Sequence, residues 1–177
     1  IESHLRMNLG KWKPDIILDV GANTGQYAQL IRRLGYQGRI ISFEPGSEAF
    51  ELLQEASMDD DAWEVHNYAL GDETGSITIN VSNATVFSSL YSPNNFGQEK
   101  FGASIEVDRQ EIVQMRRIDE LVPEYIPNAD VANVFLKMDT QGHDHAVFEG
   151  AGRFRSQFCA IQSEVSVLPI YEGVPSY

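Results

Sequence analysis

Asp19-Val20-Gly21-Ala22-Asn23-Thr24-Gly25 combines an acid with two glycines spaced four apart. Dinucleotide-binding turns have the spacing G-x-G-x-x-G, in which the second glycine admits a pyrophosphate. The pattern D-x-G-x-x-x-G has no place for that group. Its glycines let a compact ligand lie against the backbone. Asp19 can accept a hydrogen bond from a cationic amino group, and the helix expected beyond Gly25 offers free N–H groups to a carboxylate. A ligand with an amino group, a carboxylate and a sulfonium is S-adenosylmethionine. The plain alternative is a strand–turn–helix whose glycines serve only tightness.

Four further features have a similar placement. Glu44 ends the run Ile41-Ser42-Phe43-Glu44-Pro45, where an acid can accept both hydroxyls of a ribose. Ala69-Leu70-Gly71-Asp72 can frame an adenine with backbone groups and Asp72, or can be an ordinary turn. Lys137 and Asp139, two apart in a strand, share one face. A charged pair in an apolar strand is costly unless paired or used. Lys137 is expected to keep Asp139 ionised, and an ionised Asp can accept a proton from an attacking hydroxyl. The bland reading is a structural ion pair. Glu164 ends a last strand, Gln162-Ser163-Glu164-Val165. His143 and His145 with Asp139 and Asp144 have the residue types of a metal site. Residues two apart do not face each other on a helix, so no metal is assigned. His143 remains a second candidate proton acceptor.

The elements that must position these residues alternate strand and helix, which predicts an α/β fold with a largely parallel sheet and helices on both faces. Glu2 to Leu9 is a lead-in helix closed by Gly10. Asp15 to Val20 is a continuous apolar strand, as when both faces are covered. Tyr27, Leu30, Ile31 and Leu34 mark one helix face, closed by Gly35. Strand two spans Arg39 to Phe43, and a helix capped by Ser47 carries Ala49, Leu52, Leu53 and Ala56. Strand three spans Glu64 to Leu70. A β insertion follows, with alternating runs in Ser76–Val81 and Ser104–Met115 around a polar, mobile loop, Ser82 to Gly102. Then come a short helix from Asp119 to Tyr125, strand four from Val131 to Met138, a helix from His143 to Glu149 and strand five from Phe158 to Val165. The five chemical features all fall at the carboxyl ends of strands one to five, the edge where open α/β sheets bind ligands.

The 177 residues suit one domain, and a 42% hydrophobic, 22% charged composition suits a globular core. No apolar run approaches the roughly 20 residues of a membrane span. With 13 basic and 26 acidic residues, the net charge of −13 argues against nucleic acid as a partner. The single cysteine, Cys159, excludes an intrachain disulfide and fits a reducing cytoplasm. Oligomeric state has no signature here.

Taken together, the sequence resembles the FkbM family of methyltransferases. The resemblance rests on Asp19 to Gly25, Phe43-Glu44-Pro45, Asn67 to Asp72, Ser88-Ser89-Leu90, Lys137 to Gly142 with Glu149-Gly150-Ala151, and Gln162 to Tyr177. It implies a Rossmann-like class I methyltransferase fold and a hydroxyl acceptor on a small molecule or glycan. Asp19, Gly21, Asn23 and Gly25, with Glu44, Pro45, Leu70 and Asp72, would hold S-adenosylmethionine. Asp139, Lys137 and His143 form the candidate catalytic set, and Ser88, Ser89, Gln141 and Glu164 face the acceptor. Many family members carry Asp-x-Glu-Gly where this chain has Asp139-Thr140-Gln141-Gly142. A neutral amide cannot act as a base, so any role of Gln141 becomes hydrogen bonding. The family fold ends with a helix and an antiparallel strand pair that this chain lacks, which suggests a truncated C-terminus, since an open sheet edge is a liability. An NAD-dependent oxidoreductase or epimerase, and a non-catalytic binding module built on the same sheet, are the competing readings.

Overall fold

A computed structural model describes residues 2–126 and 132–174. Five parallel strands form the main sheet in the order β3-β2-β1-β7-β8, namely β1 (Ile16–Val20), β2 (Arg39–Phe43), β3 (Trp63–His66), β7 (Val134–Met138) and β8 (Phe158–Ser163). Successive strand residues point to opposite faces, and both faces are covered. Ile16, Leu18, Val20, Leu136 and Met138 pack with α5 (Ile118–Tyr125) and α6 (Asp144–Gly150). Ile17, Ile40 and Phe135 pack with α2 (Gln26–Arg33) and α3 (Ser47–Ser57) on the other side. This is why β1 and β7 are apolar without alternation. Each fully buried aliphatic side chain contributes roughly 1.5–3 kcal/mol.

The predicted β insertion lies between β3 and β7 as a separate sheet, β4 (Ala69–Leu70), β6 (Val107–Arg116) and β5 (Gly75–Ser82), in the order β4-β6-β5. The order of the main sheet reverses between β1 and β7. There the chain leaves β1 for one face and β7 for the other, opening a crevice at the strands' carboxyl ends.

Several boundaries differ from the sequence reading. The first helix, α1 (Glu2–Trp12), continues through Gly10. Strand three is two strands: the chain breaks at Asn67, whose Nδ2 donates to the carbonyls of Glu44 and Pro45, and Ala69–Leu70 joins the smaller sheet. Ser47 is the first residue of α3 rather than its cap, because the Glu111 carboxylate of β6 accepts from both its N–H and its hydroxyl. Within 82–102 the chain is built rather than a plain loop. Thr85–Phe87 forms a 3-10 turn, and α4 (Asn95–Phe101) is capped by the Asn94 side chain, which accepts from Gly97 N–H at 2.8 Å. Strand five stops at Ser163, short of Val165, and α6 begins after His143. Val131, expected to open strand four, lies outside the described residues, as do Pro175, Ser176 and Tyr177. Among the described residues no helix is long and apolar enough to cross a membrane.

Candidate active site

A cavity of about 440 Å³ opens at the carboxyl ends of β1, β2 and β7 and is covered by the segment 85–90. That volume falls in the range of small-molecule sites. Its floor begins with the glycine turn. Gly21 has φ 70°, and a Cβ there would overlap the carbonyl oxygen of Asp139. Only glycine allows β1 and β7 to approach so closely at this point. Gly25, at φ 88°, turns the chain into α2 with no side-chain cap, and a Cβ on it would strike the Trp63 ring. Gly25 therefore shapes the turn from behind and is not part of the cavity wall.

Glu44 is buried at the end of β2, with one carboxylate oxygen accepting from Asn23 N–H and the other from Gly46 N–H, both at 2.8 Å. The acid thereby fastens the glycine turn to the next strand. Burial pushes its pKa up to about 7, against the two backbone N–H groups that favour its charge. Pro45, Leu70, Asn23 and Gly21 complete this end of the cavity. Asp72 does not line it; its carbonyl accepts from Arg117 instead. β4 still lines the cavity through Ala69 and Leu70, and the chain turns away only beyond it, where Asp72 meets Arg117.

The charged pair is not the one the sequence suggests. Lys137 Nζ lies 2.9 Å from Asp19 Oδ1 and 4.0 Å from Asp139 Oδ2. Asp19 and Lys137 are register partners on adjacent strands, whereas Asp139 follows the end of β7. Asp19 is wholly buried; its other oxygen accepts from Ser42, whose hydroxyl in turn accepts from the Trp63 indole. Lys137 also donates to the Gly21 carbonyl at 3.0 Å and sits 5.3 Å from the Tyr27 ring. Burial works to lower the lysine's pKa, but the charges of Asp19 and Asp139 and the hydrogen bond to Asp19 outweigh it and hold it above the ordinary lysine range. The ammonium thus braces the turn, and Asp19 is withdrawn from direct contact with the cavity.

Asp139 stands at the cavity wall with its side chain 42% exposed. Gln141, itself at φ 52°, donates from Nε2 to Asp139 at 2.8 Å and to Glu164 at 3.0 Å. Glu164 lies beyond this amide and lines a neighbouring hollow instead. Ser89 reaches the Gln141 carbonyl at 2.8 Å, and Ser88 lines the cavity beside it. His143 lines the cavity too; burial holds it below the ordinary histidine range against the nearby carboxylates, so it is neutral at neutral pH. Its Nδ1 is 3.4 Å from the Tyr91 hydroxyl. Among the described residues no group of three or more His, Cys, Asp or Glu is arranged to hold a metal.

Three participants, Ser42, Thr85 and Tyr171, escaped the sequence reading, and a fourth, Asp144, enters it only among the residue types of a metal site. Ser42 is the register partner of Asp19, and that signal was available once β1 and β2 were recognised as neighbours. Asp144 accepts from Thr140 N–H and hydroxyl, Ser163 hydroxyl and Glu164 N–H, and so ties β7 to β8. Thr85 meets the Asn23 side chain at 3.2 Å, joining the cover to the glycine turn. The Tyr171 hydroxyl lies 2.8 Å from the Phe87 carbonyl and 3.1 Å from Gln141 Oε1. No local pattern announces Thr85 or Tyr171, which bond across long stretches of chain, whereas Asp144 meets Thr140 only four residues away.

Residues 19–177 match the model of the methyltransferase FkbM domain. The chain is 27% identical over 170 residues to the 2-O-methyltransferase NoeI of Sinorhizobium fredii, covering 91% of this chain and 68% of that protein. It is 24% identical over 157 residues to the methyltransferase sdnD of Sordaria araneosa, covering 76% of this chain and 59% of that protein. The chain thus spans about two thirds or less of these relatives' lengths.

Proposed function

The chain belongs to the FkbM family of methyltransferases, and from that premise we propose that it transfers a methyl group from S-adenosylmethionine to a hydroxyl of a small molecule or glycan. The observation that carries this reading is the convergence of Gly21, Glu44 and Asp139 on one cavity from three different strand ends. The residues suit the cofactor. The glycine turn forms a cradle that a Cβ at Gly21 would fill. Glu44 spends one acceptor position of each oxygen on a backbone N–H and has the others for ribose hydroxyls. Leu70 and Pro45 supply apolar contact for an adenine. When bound, S-adenosylmethionine supplies a methyl group already activated by its sulfonium. The protein's part is then to align the acceptor and manage one proton.

Asp139 accepts that proton in this reading. It is the carboxylate at the wall that remains open, since Asp19 is sealed against Lys137 and Ser42. Gln141 orients it. Ser88 and Ser89, in the cover, face the acceptor side, and Asn23–Thr85 closes the cover onto the glycine turn. The relative named a 2-O-methyltransferase supports an oxygen acceptor at the level of family.

Calorimetry with S-adenosylmethionine and its demethylated product is the direct test. Micromolar binding that is lost in Gly21→Ala and weakened in Glu44→Gln is expected. Absence of heat with both ligands, or tight NAD binding in their place, sinks the reading. Methyl transfer to a panel of hydroxylated acceptors, with Asp139→Asn as control, then tests the acceptor class.

A further inference from the structure

Beyond Asp139, a second carboxyl group, that of Glu164, stands within hydrogen-bond reach of the first and has no task in the reaction as described. Gln141 Nε2 donates to Asp139 Oδ1 at 2.8 Å and to Glu164 Oε2 at 3.0 Å. One amide thus holds two carboxyl groups side by side, one from the end of β7 and one from the end of β8, which are neighbours in the sheet. The amide is itself fixed on every side. Its backbone lies in the left-handed region at φ 52°, its carbonyl accepts from Ser89, and its Oε1 faces the Tyr171 hydroxyl. A non-glycine residue stays in that region only where its surroundings over-determine it. Here the surroundings aim two N–H bonds at two acids.

We propose that Asp139 and Glu164, held side by side by Gln141, share one proton directly between their carboxyl oxygens, and that this pair, rather than Asp139 alone, takes up the proton of the acceptor hydroxyl. The inference rests on the methyl-transfer reading above. The acceptor's O–H bond breaks as its O–CH3 bond forms, and the electron pair of the methyl–sulfur bond leaves with the sulfur. The proton passes to Asp139 and comes to rest between the two carboxyls. Glu164 acts through Asp139 and is a positioning residue.

An isolated carboxylate is a weak base at neutral pH, whereas a pair that shares a proton holds it much more firmly. Partial burial, then the hydrogen bond and charge of Asp139, push Glu164 up to about 7. A proton affinity near the working pH suits a general base. The groups facing the pair act in both directions. Lys137 puts a positive charge 4.0 Å from Asp139 Oδ2, and Gln141 donates to both acids. Asp144, whose Oδ2 accepts from Glu164 N–H at 3.1 Å, opposes ionisation of Glu164. Tyr171 stays neutral, raised by burial and then by both carboxylates, and His145 lines the hollow on the far side of Glu164.

The test is an infrared pH titration of the whole chain, carried in the Glu44→Gln background so that Glu44 does not contribute. A protonated carboxyl band that fades near pH 7 is expected. It should vanish in Glu164→Gln and in Asp139→Asn and survive in Glu164→Asp. In methyl transfer at saturating S-adenosylmethionine, so that cofactor binding through Glu44 does not set the profile, the rising limb of the rate against pH should move down by at least about one pH unit in Glu164→Gln. A merely structural role would lower the rate at every pH and leave that midpoint in place. A band that persists in Glu164→Gln, or an unmoved midpoint, overturns the proposal. If the wild-type chain binds no S-adenosylmethionine, the methyl-transfer reading fails, and the titration still decides whether the proton is shared.

Discussion

Lys137 turns to Asp19 rather than to Asp139 because a parallel sheet sets register partners side by side, whereas a residue past the strand end curves away. The consequence is a buried ion pair, and such pairs matter most when half of one is removed. Lys137→Met should cost about 3–5 kcal/mol in urea unfolding, because it leaves Asp19 charged and without its partner. The double variant with Asp19→Asn should recover most of that loss; a single variant as stable as wild type would show that the pair is not structural. Glu44 carries the second prediction at this scale. Its pKa in the fold, about 7, stands above that of an ordinary carboxyl because of burial. The folded state therefore keeps a proton that the unfolded chain has lost between about pH 4.5 and 7. The favourable contribution is present below that window and is lost as pH rises through it, by roughly 3 kcal/mol in total. Stability curves of wild type and Glu44→Gln should accordingly converge at low pH and separate above pH 7, with the variant the more stable. In the proposed S-adenosylmethionine site, ribose hydroxyls donate best to the charged carboxylate, so affinity for that ligand should fall as pH drops below about 7. Calorimetry in buffers of different ionisation heat reads the linked proton.

Among the elements, the meeting of β1 and β7 is the tightest. Gly21→Ala places a methyl against the Asp139 carbonyl at a positive φ. A loss of about 1–3 kcal/mol is expected from strain alone, with a larger loss of cofactor binding, because the turn itself must shift. The cover is held by bonds from three sides: Asn23 to Thr85, Ser89 to the Gln141 carbonyl, and Tyr171 to the Phe87 carbonyl. Its flank, α4, is capped by Asn94, whose side chain also donates to the carbonyls of Pro169 and Tyr171. Asn94→Ala should remove about 1 kcal/mol of capping and speed hydrogen exchange across residues 95–101 more than in β1. Equal acceleration in both would mean that the cover and the sheet open together.

At the scale of the whole molecule, a net charge of −13 acts as self-repulsion that salt screens within about 10 Å at 0.1 M. The thermal midpoint should rise on going from low salt to 0.15 M; a fall would show that surface pairs such as Arg32–Asp60 and Arg39–Glu64 outweigh the repulsion. The parallel sheet, both covered faces and the β insertion are legible from periodicity, since a strand buried on two faces must be apolar throughout. The glycine turn and Glu44 are equally legible, because strand, turn and helix are contiguous in the chain and the spacing of Asp19, Gly21 and Gly25 is itself the geometry. Asp139 is legible as the residue at a strand end. Other features depend on which strands become neighbours. Sequence places Lys137 two residues from Asp139, but the sheet order gives it to Asp19. Asp72 follows a strand that reads as continuous, yet Asn67 breaks that strand to cap the Glu44 and Pro45 carbonyls, and past Leu70 the chain turns to Arg117 and takes Asp72 out of the cavity. Gln141 reads as a lost acid, and only the approach of β8 shows that it joins two others. Local spacing determined the turn and its acids; tertiary structure decided their partners, because a buried charge is settled by whatever the neighbouring strand sets beside it.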